Sequence, residues 1–305
     1  MNYNLITILG PTAVGKTRLA AELAFKFSGE IISADSRQVY KKMDIGTGKD
    51  LNDYLVAGNR IPYHLIDVIE PSDEFNLFLF NKLFYDAFLE INNKNKIPIL
   101  TGGTGLFLHS ILKQYELHEV EINKLKYAEY EKLSLNELCD KLKVLNSNMH
   151  NTTDLLIKER VIKAILIAED NLNNKIINKP EINSFVIGVK YDREIIKDRI
   201  TKRLKERLKT GMIEEVEKLL NSGITFDKLN FFGLEYKFVG LYLKGELNYN
   251  DMYQKLNSSI HAFAKRQMTW FRKMEKEGIH IQWIEGPDVL KAAELIEENY
   301  FNKII

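Results

Sequence analysis

Cysteine is almost missing from this chain of 305 residues: Cys139 stands alone. That excludes an internal disulfide framework and a zinc site built from several cysteines, and leaves Cys139 to be read as a small apolar side chain. Net charge is almost missing too. The 43 basic and 42 acidic residues leave +1, so an anionic partner has to be held by local basic patches. No apolar run approaches the ~18 residues of a membrane span. The opening Met1-Asn2-Tyr3-Asn4 lacks the basic region of a secretory signal. The expectation is a cytoplasmic protein with no membrane partner. No internal repeat is visible. What the chain does have is 45% hydrophobic and 28% charged residues, enough to bury a sizeable core and too apolar for a disordered chain. Its length suits one large domain or a domain carrying an insertion.

The sharpest local pattern is Gly10-Pro11-Thr12-Ala13-Val14-Gly15-Lys16-Thr17, a G-x-x-x-x-G-K-T loop. An apolar run of strand length, 5–9, precedes it, and an Ala- and Leu-rich stretch, 17–27, follows as a helix. In that setting backbone N–H groups wrap phosphates, the lysine neutralises the terminal phosphate and the hydroxyl of Thr17 coordinates Mg²⁺. Read alone, the loop suggests a nucleotide, ATP or GTP. Phosphate binding does not by itself establish hydrolysis.

Strand patterns at 5–9, 30–34, 64–68 and 97–101, with helices after Lys16 and around 77–92, predict an α/β protein with a parallel sheet and helices on both faces. Ligands of such sheets sit outside the carboxyl ends of the strands. From 115 to 183 the strand signals vanish, and 135–145 and 155–167 carry helical periodicity. A strand returns at 184–189, after which the chain reads as mostly helical, broken at Gly211, Gly223, Gly233 and Gly245. The simplest organisation is a P-loop core domain, 1–114 plus 184–305, interrupted by a helical insertion domain, 115–183.

Four further constellations stand near predicted strand ends or on charged helices. Asp35, in Ser33-Ala34-Asp35-Ser36-Arg37-Gln38, can hold Mg²⁺ through water or accept a proton from a nucleophile. It can equally cap a turn. Thr101-Gly102-Gly103-Thr104-Gly105 either lets backbone approach a ligand or makes a tight turn, and Asp67 is either a magnesium-side carboxylate or a turn residue. The helix from Lys197 to Lys209 puts Arg199 and Arg203 on one face, either toward the phosphates or toward solvent. In Ala264-Lys265-Arg266-Gln267-Met268-Thr269-Trp270-Phe271-Arg272-Lys273, bases interleave with aromatics. They either hold a nucleic acid or divide between core and surface.

Taken in order, G-P-T-A-V-G-K-T, S-A-D-S-R-Q-V-Y-K-K-M-D-I-G-T-G-K, Y-H-L-I-D, T-G-G-T-G-L-F and A-K-R-Q-M-T-W-F-R resemble the tRNA dimethylallyltransferase (tRNA isopentenyltransferase) family from Leu5 to about Trp283. The stretch 33–49 carries most of the likeness. The resemblance implies a donor, dimethylallyl diphosphate, held by residues 10–17 with Mg²⁺ on Thr17. Its five-carbon group passes to N6 of the adenosine just 3′ of a tRNA anticodon. Asp35 would receive the N6 proton, Lys16 and Arg203 would stabilise the departing diphosphate, and Thr12 and Thr101 would line the channel. Ser36, Arg37 and Gln38 would contact the extruded adenosine or its neighbours. Lys265, Arg266, Gln267 and Arg272 would contact tRNA, and the insertion would grip the anticodon arm. A monomer is expected.

The chain departs from the family pattern at Lys163, where the family shows a second arginine three residues after Arg160. It departs again at Phe232-Gly233-Leu234-Glu235-Tyr236-Lys237, which replaces an I-G-Y-K-E type of segment. The zinc finger of the eukaryotic relatives is missing, as in the shorter bacterial form. Three alternatives carry different expectations: an adenylate prenyltransferase, generally shorter; a small-molecule kinase spending ATP; and a tRNA-binding protein without activity. The intact Lys16, Thr17, Asp35 and Arg203 count against the last.

Overall fold

The computed structural model describes residues 3–117, 123–145, 155, 157–171 and 179–301. Its elements run β1 (Leu5–Leu9), α1 (Lys16–Lys26), β2 (Gly29–Ala34), a small hairpin β3 (Leu55–Val56) and β4 (Asn59–Arg60), β5 (Tyr63–His64), α2 (Leu77–Asn93), β6 (Ile97–Gly102) and α3 (Gly105–Leu112). Three helices follow, α4 (Lys124–Glu131), α5 (Leu135–Leu145) and α6 (Lys158–Asn171). The chain then returns through β7 (Ser184–Lys190), α7 (Arg193–Lys209), α8 (Met212–Asn221), α9 (Phe226–Phe232), α10 (Leu234–Leu243), α11 (Tyr249–Lys276), β8 (Ile281–Glu285) and α12 (Val289–Ile296). None of the described helices is long and apolar enough to cross a membrane.

Six strands form one parallel sheet in the order β5-β2-β6-β1-β7-β8. The four inner strands, β2, β6, β1 and β7, are short and almost wholly buried, as strands covered on both faces must be, while the edge strands β5 and β8 are partly exposed. Alternation divides the side chains between two cores. Leu5, Leu9, Ile32, Leu100 and Val186 join the helices α2, α3 and α7–α11 on one face. Ile6, Ile8, Ile31, Ile99, Phe185 and Ile187 pack with α1 and α12 on the other. Thr7, between Leu5 and Leu9 along β1, has its hydroxyl 2.7 Å from that of Ser184.

Two expected features differ. The strand expected at 64–68 is only Tyr63–His64, because Leu65 and Asp67 take left-handed conformations (φ 63° and 56°) that no strand accommodates. A strand also appears where the sequence reads as helical: β8, whose Ile281 and Ile284 are buried, pairs with β7 at the sheet edge.

The chain divides into two compact units, Met1–Tyr115 with Pro180–Ile305, and Glu116–Lys179. The second has its own small core, Leu138, Leu142, Val161, Ile162, Ile165 and Leu166. The expected loop at 171–175 lies outside the described residues after Asn171.

Candidate active site

Register builds the site. Leu9 of β1 pairs with Gly102 of β6, and Ala34 of β2 pairs with the same Gly102. The loops leaving these strands, 10–15, 35–38 and 103–104, therefore emerge side by side at the carboxyl edge of the sheet. In the first, Ala13 (φ 65°) and Gly15 (φ 88°) bend the chain left-handed, a conformation that glycine adopts at least cost. Helix α1 then starts with neither a capping side chain nor an acidic residue in its first turn. Its orphan N–H groups and positive dipole end are left for an anion.

Lys16 folds back over the loop, Nζ 3.3 Å from the Pro11 carbonyl oxygen. The residue is half-buried, yet its ammonium is enclosed by protein. Burial lowers its pKa to about 8; Asp35 pulls it back up, and Arg203 pushes it down. Lys16 and Asp35 thus follow strands that end side by side at the same edge of the sheet. The Oδ1 of Asp35 accepts from the backbone N–H of Arg37 at 2.9 Å and of Gln38 at 3.4 Å, so the turn fixes the direction of its carboxylate.

Several side chains hold the loops together. Gln267 of α11 accepts from Thr12 N at 2.8 Å and donates through Nε2 to the Gly103 carbonyl at 2.8 Å. At 5% exposure it belongs to the frame of the phosphate loop and not to an RNA-facing surface, which corrects its expected place among the tRNA contacts. The backbone N–H of Ser36 donates to Thr104 Oγ1. Gln38, expected beside the adenosine, donates through Nε2 to Gly48 O at 3.0 Å and lies 3.3 Å from Ser33 Oγ; its amide braces the neighbouring turn. Arg37 stacks its guanidinium on Phe231 at 5.0 Å. Thr101 is only 3% exposed and its Oγ1 has no hydrogen-bond partner among the described residues, so it lies below the crevice surface.

Helix α11 settles the division of its basic stretch. Ala264, Gln267, Phe271 and Met274 point inward at helical spacing, while Lys265, Arg266 and Arg272 are exposed on the other side. Asp67 is tied to the ammonium of Lys49, which also donates to Asp44 Oδ1 at 2.8 Å and to the Tyr40 carbonyl at 2.7 Å. The Lys49 side chain is 1% exposed, so Asp67 balances a buried charge. It also turns the chain, and the magnesium-side alternative for it falls away.

The opposite wall comes from α7. Arg199 Nε donates to the Ala13 carbonyl at 2.6 Å, which braces the phosphate loop from outside. Arg203 donates to Asp50 Oδ2, and its Nη2 lies 3.4 Å from Gly48 O. Glu215 of α8 gathers the backbone N–H groups of Asp44, Ile45 and Gly46 at 2.7, 2.7 and 2.9 Å, and the Tyr236 hydroxyl at 2.7 Å. Asp50, Arg207, Glu215, Glu235 and Tyr236 were not legible as site residues. Glu215 reaches backbone 169 to 171 positions away, and Asp50 meets Arg203 153 positions on, separations that no short motif spans. In the insertion unit, Lys163 pairs with Glu159 at 2.9 Å.

Among the described residues no group of three or more His, Cys, Asp or Glu could hold a metal ion. The donors present do suit magnesium: the hydroxyl of Thr17, half-exposed in the first turn of α1, beside a loop shaped for phosphate oxygens. Mg²⁺ characteristically takes substrate phosphates, water and one or two protein oxygens in place of an all-protein cage.

Comparison with known proteins agrees along the whole chain. The family model described as IPP transferase matches residues 38–274, and the one described as isopentenyl transferase matches residues 3–70. The chain is 52% identical to a tRNA dimethylallyltransferase 1 of Geotalea uraniireducens over 97% of each chain. It is 48% identical to a tRNA dimethylallyltransferase 2 of Trichlorobacter lovleyi over 98% of this chain and 97% of that one. Among solved structures it is similar to the tRNA isopentenylpyrophosphate transferase of Bacillus halodurans, with TM-score 0.70 and 31% identity over 99% and 97% of the two chains. A eukaryotic dimethylallyltransferase solved acting on tRNA shares the fold, with TM-score 0.76 and 21% identity, over 99% of this chain and 80% of that one.

Proposed function

The chain belongs to the IPP transferase family, and from that premise we propose how its crevice performs the family's reaction. It is a prenyltransferase that modifies tRNA: the dimethylallyl group of dimethylallyl diphosphate passes to N6 of the adenosine 3′ of the anticodon, giving N6-dimethylallyladenosine and diphosphate. One observation carries the assignment of roles. The strand register puts a phosphate loop, Lys16 and a turn-fixed carboxylate, Asp35, at one sheet edge.

Adenine N6 is a weak nucleophile because its lone pair is delocalised into the ring, whereas an allylic carbon reacts readily once its diphosphate is stabilised. Catalysis then rests on placing the two in line and neutralising the leaving group. The loop N–H groups after Thr12, whose own N–H is taken by Gln267, and the ammonium of Lys16 hold the diphosphate. Thr17 would share Mg²⁺ with the phosphate oxygens, and that ion supplies further charge neutralisation when bound. The C–O bond to diphosphate breaks as the N6–C bond forms, and the N6 proton passes to Asp35. Arg203 reaches the departing diphosphate by exchanging Asp50 for it. Lys265, Arg266 and Arg272, exposed along α11, suit the phosphates of the tRNA. Ser36 and Arg37, half-buried in the turn after Asp35, suit contact with the extruded base, whose flipping costs a few kcal/mol. The insertion suits the anticodon arm. We place the enzyme in the cytoplasm as a monomer.

The test is transfer of radiolabel from dimethylallyl diphosphate to undermodified tRNA or to AMP. Label in tRNA is expected. Label in AMP alone would make this an adenylate prenyltransferase, and ATP consumption with no label moved would make it a kinase.

A further inference from the structure

Helix α7 carries a third arginine on the crevice side, one turn past Arg203. The side chain of Arg207 is 13% exposed, and its nearest carboxylate oxygen, Glu235 Oε1, lies 3.6 Å from Nη1. That is too long for a good hydrogen bond. Its Nε and Nη2 are buried and have no hydrogen-bond partner among the described residues. Unmet donors on a buried guanidinium are costly. Burial, then the nearby Arg203, lowers the pKa of Arg207 to about 10, so it stays charged at neutral pH. Burial meanwhile raises that of Glu235 against the pull of Arg207. The pair is therefore a poor salt bridge, with a cation that is incompletely answered.

Its surroundings say what would answer it. A narrow cleft, open to solvent, is lined by Thr12 and Ala13 of the phosphate loop together with Arg203, Arg207 and Glu235. A Cβ on Gly48 would overlap Arg207 Nη2 and lie 2.6 Å from Arg203 Nη2, so only a glycine lets both guanidinium groups approach this turn. The neighbouring cations already have acceptors: Arg199 in Ala13 O, and Arg203 in Asp50 and Gly48 O.

We propose that Arg207 is a second guanidinium for the diphosphate: its side chain turns from beside Gly48 and donates its unmet hydrogens to phosphate oxygens at the phosphate-loop wall of the cleft. The proposal rests on the reading above of that loop as the diphosphate site. No proton moves to or from Arg207. As the C–O bond breaks and charge grows on the diphosphate, its forked donors gain strength, and they hold the leaving group after transfer. A planar fork suits such oxygens better than the point charge of a lysine.

Three full-length variants test it: Arg207→Met, Arg207→Lys and Glu235→Gln. Inorganic diphosphate binding is measured by calorimetry, steady-state constants are measured for each substrate separately, and thermal unfolding is followed with and without diphosphate. Arg207→Met should weaken diphosphate binding and raise KM for dimethylallyl diphosphate on the order of tenfold. It should leave KM for tRNA unchanged and abolish most of the thermal shift given by diphosphate. Arg207→Lys should fall between wild type and Met, and it carries the test if Met does not fold. Glu235→Gln, which keeps the guanidinium, should bind diphosphate at least as well as wild type. Wild-type diphosphate affinity in Arg207→Met, with stability lost equally in both Met and Gln variants, would reduce the pair to a structural contact. A rise in KM for tRNA alone would make Arg207 an RNA contact. If wild-type enzyme moves no label to tRNA, the functional reading fails, whereas diphosphate calorimetry still decides the role of Arg207.

Discussion

Asp35 has one carboxylate oxygen tied to two backbone N–H groups of its own turn. An asparagine can still accept both through its side-chain oxygen, so Asp35→Asn removes the base and keeps the loop. Turnover should fall roughly 10²-fold or more, with tRNA affinity and melting temperature little changed; near-normal turnover in a single-turnover assay would remove Asp35 as the base. Lys16 gives a second prediction, this one in pH. Its pKa is lowered to about 8, chiefly by burial. Below pH 8 the free enzyme already carries the charge. Above pH 8 it has lost the proton, and an arriving diphosphate favours its return. Diphosphate affinity should therefore decline as pH rises through 8. Binding at pH 8.5 should take up on the order of half a proton or more, read by calorimetry in buffers of different ionisation enthalpy. Uptake near zero would mean that Lys16 stays charged throughout.

Helix α11 makes frame and surface from one run of residues. Phe271 is fully buried and Gln267 braces the phosphate loop, while Lys265 and Arg266 are exposed on the far side. Substitutions should divide along that line. Phe271→Ala should cost about 3–5 kcal/mol in denaturant unfolding. Lys265→Ala should leave stability unchanged, weaken tRNA binding and reduce its logarithmic salt slope by about one. An unchanged slope would take Lys265 off the RNA path. The sequence shows the basic and aromatic letters of this run but not which way each points. A 3.6-residue period locates the buried stripe only once the neighbouring elements are known.

The two units set the last prediction. Residues Glu116–Lys179 have a separate core. The chain on either side of them is stitched together by the Ile182 backbone N–H, which donates to Gln114 Oε1 at 3.1 Å. A short glycine-rich linker in place of 116–179 should therefore close with a small entropic cost. The remaining unit should melt cooperatively and still bind inorganic diphosphate, while transfer to tRNA is lost. A shortened chain that fails to fold would show that the core depends on the insertion.

Sequence alone was enough for what is local. The strand–loop–helix at 5–26, the turn beginning at Asp35 and the change of periodicity after 115 are all written in consecutive residues, because backbone propensity and amphipathic period act over one or two turns of chain. It was insufficient wherever distant segments meet. It overextended β5, where left-handed residues end the pairing, and it missed β8, a short strand whose place at the sheet edge depends on β7 already lying there. It placed Gln267 among the tRNA contacts, and the fold spends that side chain on Thr12 and Gly103. Whether Arg203 faces Asp50, and whether Arg207 is left incompletely paired near the phosphate loop, depends on how α7 packs against α8 and α11 on one face of the sheet. Those are long-range packing decisions that no window of consecutive residues contains, and tertiary structure alone could make them.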